Sequence, residues 1–473
     1  MHVTIHKSFD IMFDGVIANI IIWSEKMTRK ITDKIIYVGC NDHKIDMFEG
    51  QYVVPNGMAY NSYVIIEDKT AVLDTMEEKE TEEWLANVEE ALEGRTPDYL
   101  IVQHMEPDHS ASIGAFVEKY PETTIVGNKK TFNMISQFFP GIEIANKMEV
   151  AGGDKLSLGE NELTFIMAPM VHWPEVMMTY YPAEKAFFSA DAFGKFGALD
   201  VEEEWECEAR RYYIGIVGKY GPQVQSVLKQ AAEIDIEMIC PLHGPVLDKN
   251  LSYYIDLYDT WSGYRSETEG VCICYTSIYG NTKKAVELLA EELEAAGVEN
   301  VVVNDLARCD WAEAVEDAFR YDRLVLATTT YNGDIFPFMK QFIDHLTERN
   351  FQNRRIAFIE NGSWGPVAIR KMKQYLESAK ELVVAENNVT IKSAMTENNK
   401  AQIKALAAEL SSEVSESETA GAAGEEIAEE KPAAVKRYEC QICKFVYEGE
   451  SLPEGFECPL CGRGTKDFTL LEE

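Results

Sequence analysis

Short apolar runs set off by polar turns fill the first half of the chain. "KIIYVG", "SYVIIED", "TAVLD", "YLIVQ", "TTIVG", "ELTFIMA" and "KAFFSAD" are each too short for a stable helix, and most are rich in β-branched and aromatic residues, so each predicts a strand. Thr81–Glu93 has helical spacing instead, and residues 27–265 read as one mixed α/β module. From Gly270 the rhythm becomes regular. "GVCICYTS", "NVVVNDL", "RLVLATT", "RIAFIEN" and "LVVAENNVTI" predict strands, and Thr282–Ala296, Trp311–Arg320, Phe338–Glu348, Ala368–Ala379 and Lys400–Leu410 predict the helices that alternate with them. This alternation over residues 270–410 implies a doubly wound parallel sheet.

The two ends differ from this pattern. Residues 411–436, "SSEVSESETAGAAGEEIAEEKPAAVK", are small, acidic and close to a proline, the composition of a flexible linker. Residues 437–473 are too few to build a core unaided and call for a staple. At the N-terminus, "IMFDGVIANIIIW" (Ile11–Trp23) is apolar but interrupted by Asp14, and a well-formed pattern opens only at Met27. Residues 1–26 are therefore set apart as an extension outside the fold. The fold class expected is α/β and α+β, in several domains.

Composition narrows the function. A length of 473 residues suits about three domains. A formal charge of −36 argues against nucleic-acid binding and against anionic membrane surfaces. No apolar run is long enough to cross a bilayer, and no small-residue cleavage site follows the N-terminal apolar stretch. Cys40, Cys207, Cys240, Cys272, Cys274 and Cys309 are scattered and read as core thiols. Cys440, Cys443, Cys458 and Cys461 form two Cys-x-x-Cys pairs, which is metal spacing and suggests a reducing compartment, hence the cytoplasm.

Three stretches carry chemistry. In "IVQHMEPDHSAS" (Ile101–Ser112), His104, Glu106, Asp108 and His109 crowd the end of a predicted strand. Burying an unpaired carboxylate costs several kcal/mol, so the cluster points to a metal. Alternate residues of an extended segment face one way, which predicts that His104, Glu106 and Asp108 converge, with Ser110 capping the following helix. His172, Asp191 and His243 follow later apolar runs and share this strand-end placement. "TSIYGNT" (Thr276, Ser277, Ile278, Tyr279, Gly280, Asn281, Thr282) joins a strand to a helix, where hydroxyls and backbone N–H groups cradle a phosphate. Thr330, Tyr331, Asn332 and Gly333 follow the third strand of that sheet, and Asn361, Gly362, Ser363 and Trp364 follow the fourth. In the tail, the four cysteines predict a tetrahedral thiolate site that suits zinc or iron, with Tyr438, Phe445, Tyr447, Phe456 and Phe468 as a small aromatic core.

The first module resembles the metallo-β-lactamase fold, an αββα sandwich. Hydrolases of that fold usually carry His-x-His-x-Asp-His, whereas here Glu106 replaces the second His, and the harder carboxylate shifts preference from zinc toward iron. His-x-Glu-x-Asp-His followed by His, Asp and His is similar to the diiron site of the flavodiiron proteins. By that resemblance one iron takes His104, Glu106 and His172, the other takes Asp108, His109 and His243, and Asp191 bridges them. The second module resembles flavodoxin, which implies FMN, with Trp364 able to stack on the flavin ring. The tail resembles rubredoxin, a one-electron iron carrier, although the spacing between its cysteine pairs is short and Lys444 stands where rubredoxins usually have glycine. The whole order resembles the flavodiiron proteins that end in a rubredoxin domain.

This resemblance implies an oxidoreductase that reduces dioxygen to water or nitric oxide to nitrous oxide. Electrons would pass from an NAD(P)H-dependent rubredoxin reductase through the rubredoxin iron and FMN to the diiron site. It also implies a head-to-tail homodimer or a dimer of dimers, with no nucleic acid or membrane partner. Two other readings remain open at this point: a zinc hydrolase with appended redox domains, and an electron-transfer protein whose diiron site is structural.

Overall fold

The computed structural model describes residues 28–412, 436–440, 446–449, 451–453, 456 and 464–470. The N-terminal extension and nearly all of the acidic linker lie outside them.

Two sheets form the first module. One has seven strands in the order Arg29–Lys30, Ile35–Tyr37, Tyr63–Ile66, Thr70–Leu73, Tyr99–Ile101, Thr124–Gly127 and Asn146–Glu149. The other has five: Lys155–Ser157, Glu162–Met167, Met177–Tyr181, Ala186–Phe188 and Met238–Cys240. Period-two alternation decides which residues face inward. Met177, Tyr181 and Phe188 point into the space between the sheets, where they meet Ile35, Tyr63, Ile65, Leu73 and Ile101. Met178 and Phe187, one residue away, point outward onto the helices, as do Val64, Val72 and Leu100 on the other sheet. Thr81–Leu92 covers the first sheet with Trp84 and Val88, and Gly221–Ala231 covers the second with Val224 and Val227. The result is the αββα sandwich.

The second module is the doubly wound sheet. Its strands run Val301–Asp305, Thr268–Tyr275, Tyr321–Tyr331, Gln352–Asn361 and Lys380–Val384, all parallel, in the 2-1-3-4-5 order of flavodoxin-like sheets. The stretch expected as one last strand, "LVVAENNVTI", is two. Lys380–Val384 and Val389–Ile391 both pair with Gln352–Asn361, and between them Asn388 Oδ1 accepts from Phe358 N at 2.9 Å, a side chain standing in for the ladder. The final helix starts earlier than expected, at Glu397, because Thr396 and Asn399 form a capping box.

Two other expectations are corrected. Ser110 does not cap a helix; it lies inside the short helix Pro107–Ser110, and its hydroxyl donates to the Met105 carbonyl at 2.8 Å. Of the scattered cysteines, Cys40, Cys240, Cys272 and Cys274 are buried, but Cys207 is exposed and Cys309 half-buried, so the last two are not core thiols.

The two modules form one compact unit that ends at Glu413. A buried arginine joins them. Arg210 donates to Glu267 at 2.6 and 2.5 Å and to Glu316, while Arg349 of the second module donates to Tyr52 Oη of the first at 3.0 Å. Among the described residues no helix is long and apolar enough to cross a membrane. The remaining unit, Val414–Glu473, shows a small antiparallel sheet of Lys436–Cys440, Val446–Gly449 and Phe468–Leu470. Tyr438, Tyr447, Phe456 and Phe468 form a chain of ring contacts, centroid to centroid 6.4, 4.8 and 5.4 Å. Phe445, Cys443, Cys458 and Cys461 lie outside the described residues, as does the side chain of Cys440.

Candidate metal centre and flavin cleft

The metal-type cluster grows from the turn after strand Tyr99–Ile101. The buried Asp74 carboxylate accepts from the backbone N–H of Gln103 at 2.7 Å and of His104 at 3.2 Å, and from the Gln103 side chain at 2.8 Å. Glu106 is extended (φ −60°, ψ 138°), so His104 and Glu106 converge as the alternation predicts. Asp108 does not join them. Pro107 opens a helical turn that swings Asp108 and His109 to a second group, and Thr75 fixes that turn by donating Oγ1–H to the His109 carbonyl at 2.9 Å.

Seven side chains thus fall into two groups, each with its donor atoms within 4.8 Å of one another: His104, Glu106, His172 and Asp191; and Asp108, His109 and His243. His172 Nε2 lies 2.9 Å from Glu106 Oε2 and 3.1 Å from Asp191 Oδ2, and His104 Nε2 lies 3.2 Å from the same Asp191 oxygen. The other oxygen, Asp191 Oδ1, faces His109 Nε2 at 3.3 Å and His243 Nε2 at 3.8 Å. Asp108 Oδ2 is 3.3 Å from both of those nitrogens. One carboxylate therefore offers one oxygen to each group.

These residues fit a pair of cations. Both oxygens of Asp108 and both of Asp191 are buried without a hydrogen-bond partner, and His109 Nε2 and His243 Nε2 face each other at 3.0 Å. Burial pushes the Asp108 carboxyl up to about 7. Burial also works against the Asp191 carboxylate, yet the charge of His104 and the close imidazoles of His109 and His172 hold it well below the usual range. Burial opposes a proton on His172, but Asp191 and Glu106 raise it to about 9. Without metal, only protons on the imidazoles can balance three crowded carboxylates; bound cations would take their place.

Residues that support this centre gave no signal in the sequence. Glu175 Oε1 faces His104 Nδ1 at 2.9 Å and accepts from Met105 N at 2.8 Å, and His243 Nδ1–H donates to the Ala59 carbonyl at 2.8 Å. Glu175 and Asp74 follow no motif. Asp74 directly follows strand Thr70–Leu73, the same strand-end placement as the metal-type donors and the one cue it carries.

The flavin-type loops border a cleft of about 690 Å³. Ser277, Ile278, Tyr279, Asn281, Thr282, Thr330, Tyr331, Asn332, Gly333, Asn361, Gly362, Ser363 and Trp364 all line it. Two expected residues do not. Thr276 sits behind the loop, its hydroxyl 2.6 Å from that of Thr328, and Gly280 supplies the left-handed turn (φ +86°) that opens helix Asn281–Ala295. Thr329, Gly365 and Ser393 line the cleft and were missed. Ser393 follows the last strand, Val389–Ile391, so the strand-end rule would have found it. The cleft fits a flavin phosphate and ring. The Thr282 and Thr329 hydroxyls are buried without partners, while Tyr279 and Trp364 are 92% and 96% exposed. Such exposure excludes the packed-core role for Trp364.

Comparisons agree with this geometry. A family model described as ODP family beta lactamase matches residues 58–244, and one for the flavodoxin domain matches residues 272–389. The nitric oxide reductase of Moorella thermoacetica is 31% identical over 372 residues, covering 76% of this chain and 92% of that protein. This chain belongs to the flavodiiron family. The anaerobic nitric oxide reductase flavorubredoxin of Escherichia coli O1:K1 is 25% identical over 483 residues, covering 94% of this chain and 99% of that protein. Among solved structures, rubredoxin oxygen:oxidoreductase from Desulfovibrio gigas shares the fold, with a TM-score of 0.75 and 24% identity over 81% of this chain and 98% of that one. Family membership implies a diiron centre, and the flavodoxin domain implies FMN.

Proposed function

We propose that the protein reduces dioxygen to water or nitric oxide to nitrous oxide at two irons, with electrons delivered through FMN. One observation carries the reading: Asp191 presents one oxygen to each of two buried donor groups, and Glu106 places a carboxylate where hydrolases of this fold have histidine. In this reading His104, Glu106 and His172 would hold one iron, Asp108, His109 and His243 would hold the other, and Asp191 would offer one oxygen to each. The irons, when bound, supply Lewis acidity and electrons to the gas. The chain's own part is to orient the donors and exclude bulk water. Its four central groups, His104, His109, Asp191 and His243, are fully buried, and only Glu106 is more than slightly open to solvent.

The loop Ser277–Thr282 would hold the FMN phosphate, and Trp364 and Tyr331 would flank its ring. Cys440, Cys443, Cys458 and Cys461 would hold an iron that supplies one-electron transfer, its donor being an NAD(P)H-dependent reductase in the cytoplasm. Relatives whose names include flavorubredoxin match 94% of this chain, more than the residues before the tail make up, which supports an electron-carrying tail. The active species is a head-to-tail dimer, in which the flavin cleft of one copy meets the metal centre of the other. The bare Tyr279 and Trp364 rings suit a cleft that a second copy covers.

The test is metal and flavin analysis of the purified chain, then anaerobic turnover with each gas. About three irons and one FMN per chain, with gas consumption, are expected. Two zincs at the first site and hydrolase activity would overturn the reading. Mixed dimers of a chain whose phosphate loop is made acidic to exclude FMN (Ser277→Asp, Asn281→Asp) and a metal-less chain (His104→Ala, Asp191→Ala) should regain part of the activity; mixed dimers that form and stay dead would remove the dimer from the account.

A further inference from the structure

The imidazoles of the metal centre are not backed alike. His104 Nδ1 faces a carboxylate, Glu175 Oε1, at 2.9 Å. His243 Nδ1 faces a neutral carbonyl, that of Ala59, at 2.8 Å. His109 Nδ1 is buried and has no partner. Glu175 is itself held in place. It is 1% exposed, its Oε1 also accepts from Met105 N at 2.8 Å, and its other oxygen is buried without a partner. Its backbone carbonyl accepts from Asn128 Nδ2 at 2.5 Å, and the preceding Pro174 carbonyl accepts from Lys130 Nζ at 3.0 Å. The Trp173 ring packs edge-on against His104, centroids 5.3 Å apart.

An outer carboxylate does two things to a ligating histidine. It fixes the proton on the far nitrogen, leaving the near lone pair free for metal, and it makes that near nitrogen a stronger donor than a carbonyl-backed imidazole. The same group already contains Glu106 and a share of Asp191, against Asp108 and a share of Asp191 in the other. The ligand carboxylates of the two groups are thus matched in number, and Glu175 adds a further anionic charge behind His104, which neither His109 nor His243 has at its Nδ1.

We propose that Glu175 is a positioning residue that makes the two metal positions unequal: the ion beside His104, Glu106 and His172 is held more tightly, and at a lower reduction potential, than the ion beside Asp108, His109 and His243. This rests on the two-metal reading above. Glu175 is not a ligand. It acts through His104.

The full-length protein loaded with iron, and its Glu175→Gln and Glu175→Leu variants, would be exposed to a chelator while Mössbauer spectroscopy follows each ferrous position, and each would also be titrated reductively. In the unaltered chain the Asp108–His109–His243 position is expected to empty first. Glu175→Gln keeps the shape and an acceptor but removes the charge, and should speed loss from the His104 position about tenfold and move its potential upward; Glu175→Leu should speed that loss about a hundredfold. Loss from the other position and FMN content should not change. Equal loss from both positions in the unaltered chain, or a Gln variant indistinguishable from it in both rate and potential, would overturn the inference. The order of loss should hold for any divalent ion. A chain that loads with zinc and still empties the second position first would count against gas reduction but for the role of Glu175, and a chain that takes no metal at either position would overturn both.

Discussion

The metal centre and the flavin cleft sit in one compact unit and are built in opposite ways. The cleft comes from four loops at the ends of neighbouring parallel strands, each loop a single stretch of sequence, and its aromatic walls stand open to solvent. The centre gathers residues 104 to 243 from both sheets of a sandwich, and four of its seven donors are wholly buried. A site made of open loops tolerates loss of one wall. A site made of buried charges does not, because each charge is balanced only by the others.

That contrast sets the expected size of each perturbation. Asp191→Ala removes the carboxylate common to both groups and should abolish gas reduction, by more than the roughly hundredfold that losing an outer-shell partner costs. Metal content should fall at both positions while FMN binding, followed by flavin fluorescence, stays unchanged. An Asp191→Ala chain that keeps both irons would show that the two groups do not share it. Glu106→His should leave two filled positions but favour zinc over iron, read by elemental analysis of protein grown with both.

Next in size is the junction between the modules. Arg210→Ala leaves Glu267 and the buried Glu316 without their guanidinium. It should destabilise the compact unit by about 3–5 kcal/mol, measured by chemical denaturation. A loss below about 1 kcal/mol would show that the modules are held by their apolar contacts alone. Ending the chain after Leu410 should leave FMN and the two-iron content intact but slow electron delivery from a rubredoxin-type reductase about tenfold or more. The tether supplies an effective concentration on the order of millimolar, which a separate tail at micromolar concentration cannot match. Equal rates with and without the tail would mean that electrons enter elsewhere. The smallest effect is expected at the open cleft. Trp364→Ala should weaken FMN by about 0.5–1.5 kcal/mol, roughly twofold to about tenfold in Kd, with no change at the metals.

What the sequence disclosed follows the same division. The strand-end donors were legible because histidine, glutamate and aspartate have no cheap place in an apolar environment, so their spacing after apolar runs announced them. The path of the chain between them was less so. Asp108 was expected beside His104 and Glu106, but Pro107 starts a helical turn there and sends it to the other group. Asp74 and Glu175 were missed because they carry no pattern of their own; their partners lie 29 and 71 positions away along the chain. In the second module the alternation announced a doubly wound parallel sheet, while the break in the last strand was hidden, since it depends on Asn388 taking a ladder position with its side chain. Arg210 stands in no motif and drew no notice in the sequence, yet it is the buried link between modules.

The central claim is that Asp191 joins two irons into one centre. Low-temperature Mössbauer spectra of the oxidised full-length protein, recorded with and without an applied magnetic field, test it most directly. Two ferric ions that Asp191 and the two donor groups would hold side by side should couple antiferromagnetically and give a diamagnetic pair, a coupling that Asp191→Ala should remove, beside the separate signal of the tail iron. Two magnetically independent ferric sites in the first module, or a single iron there, would contradict the account.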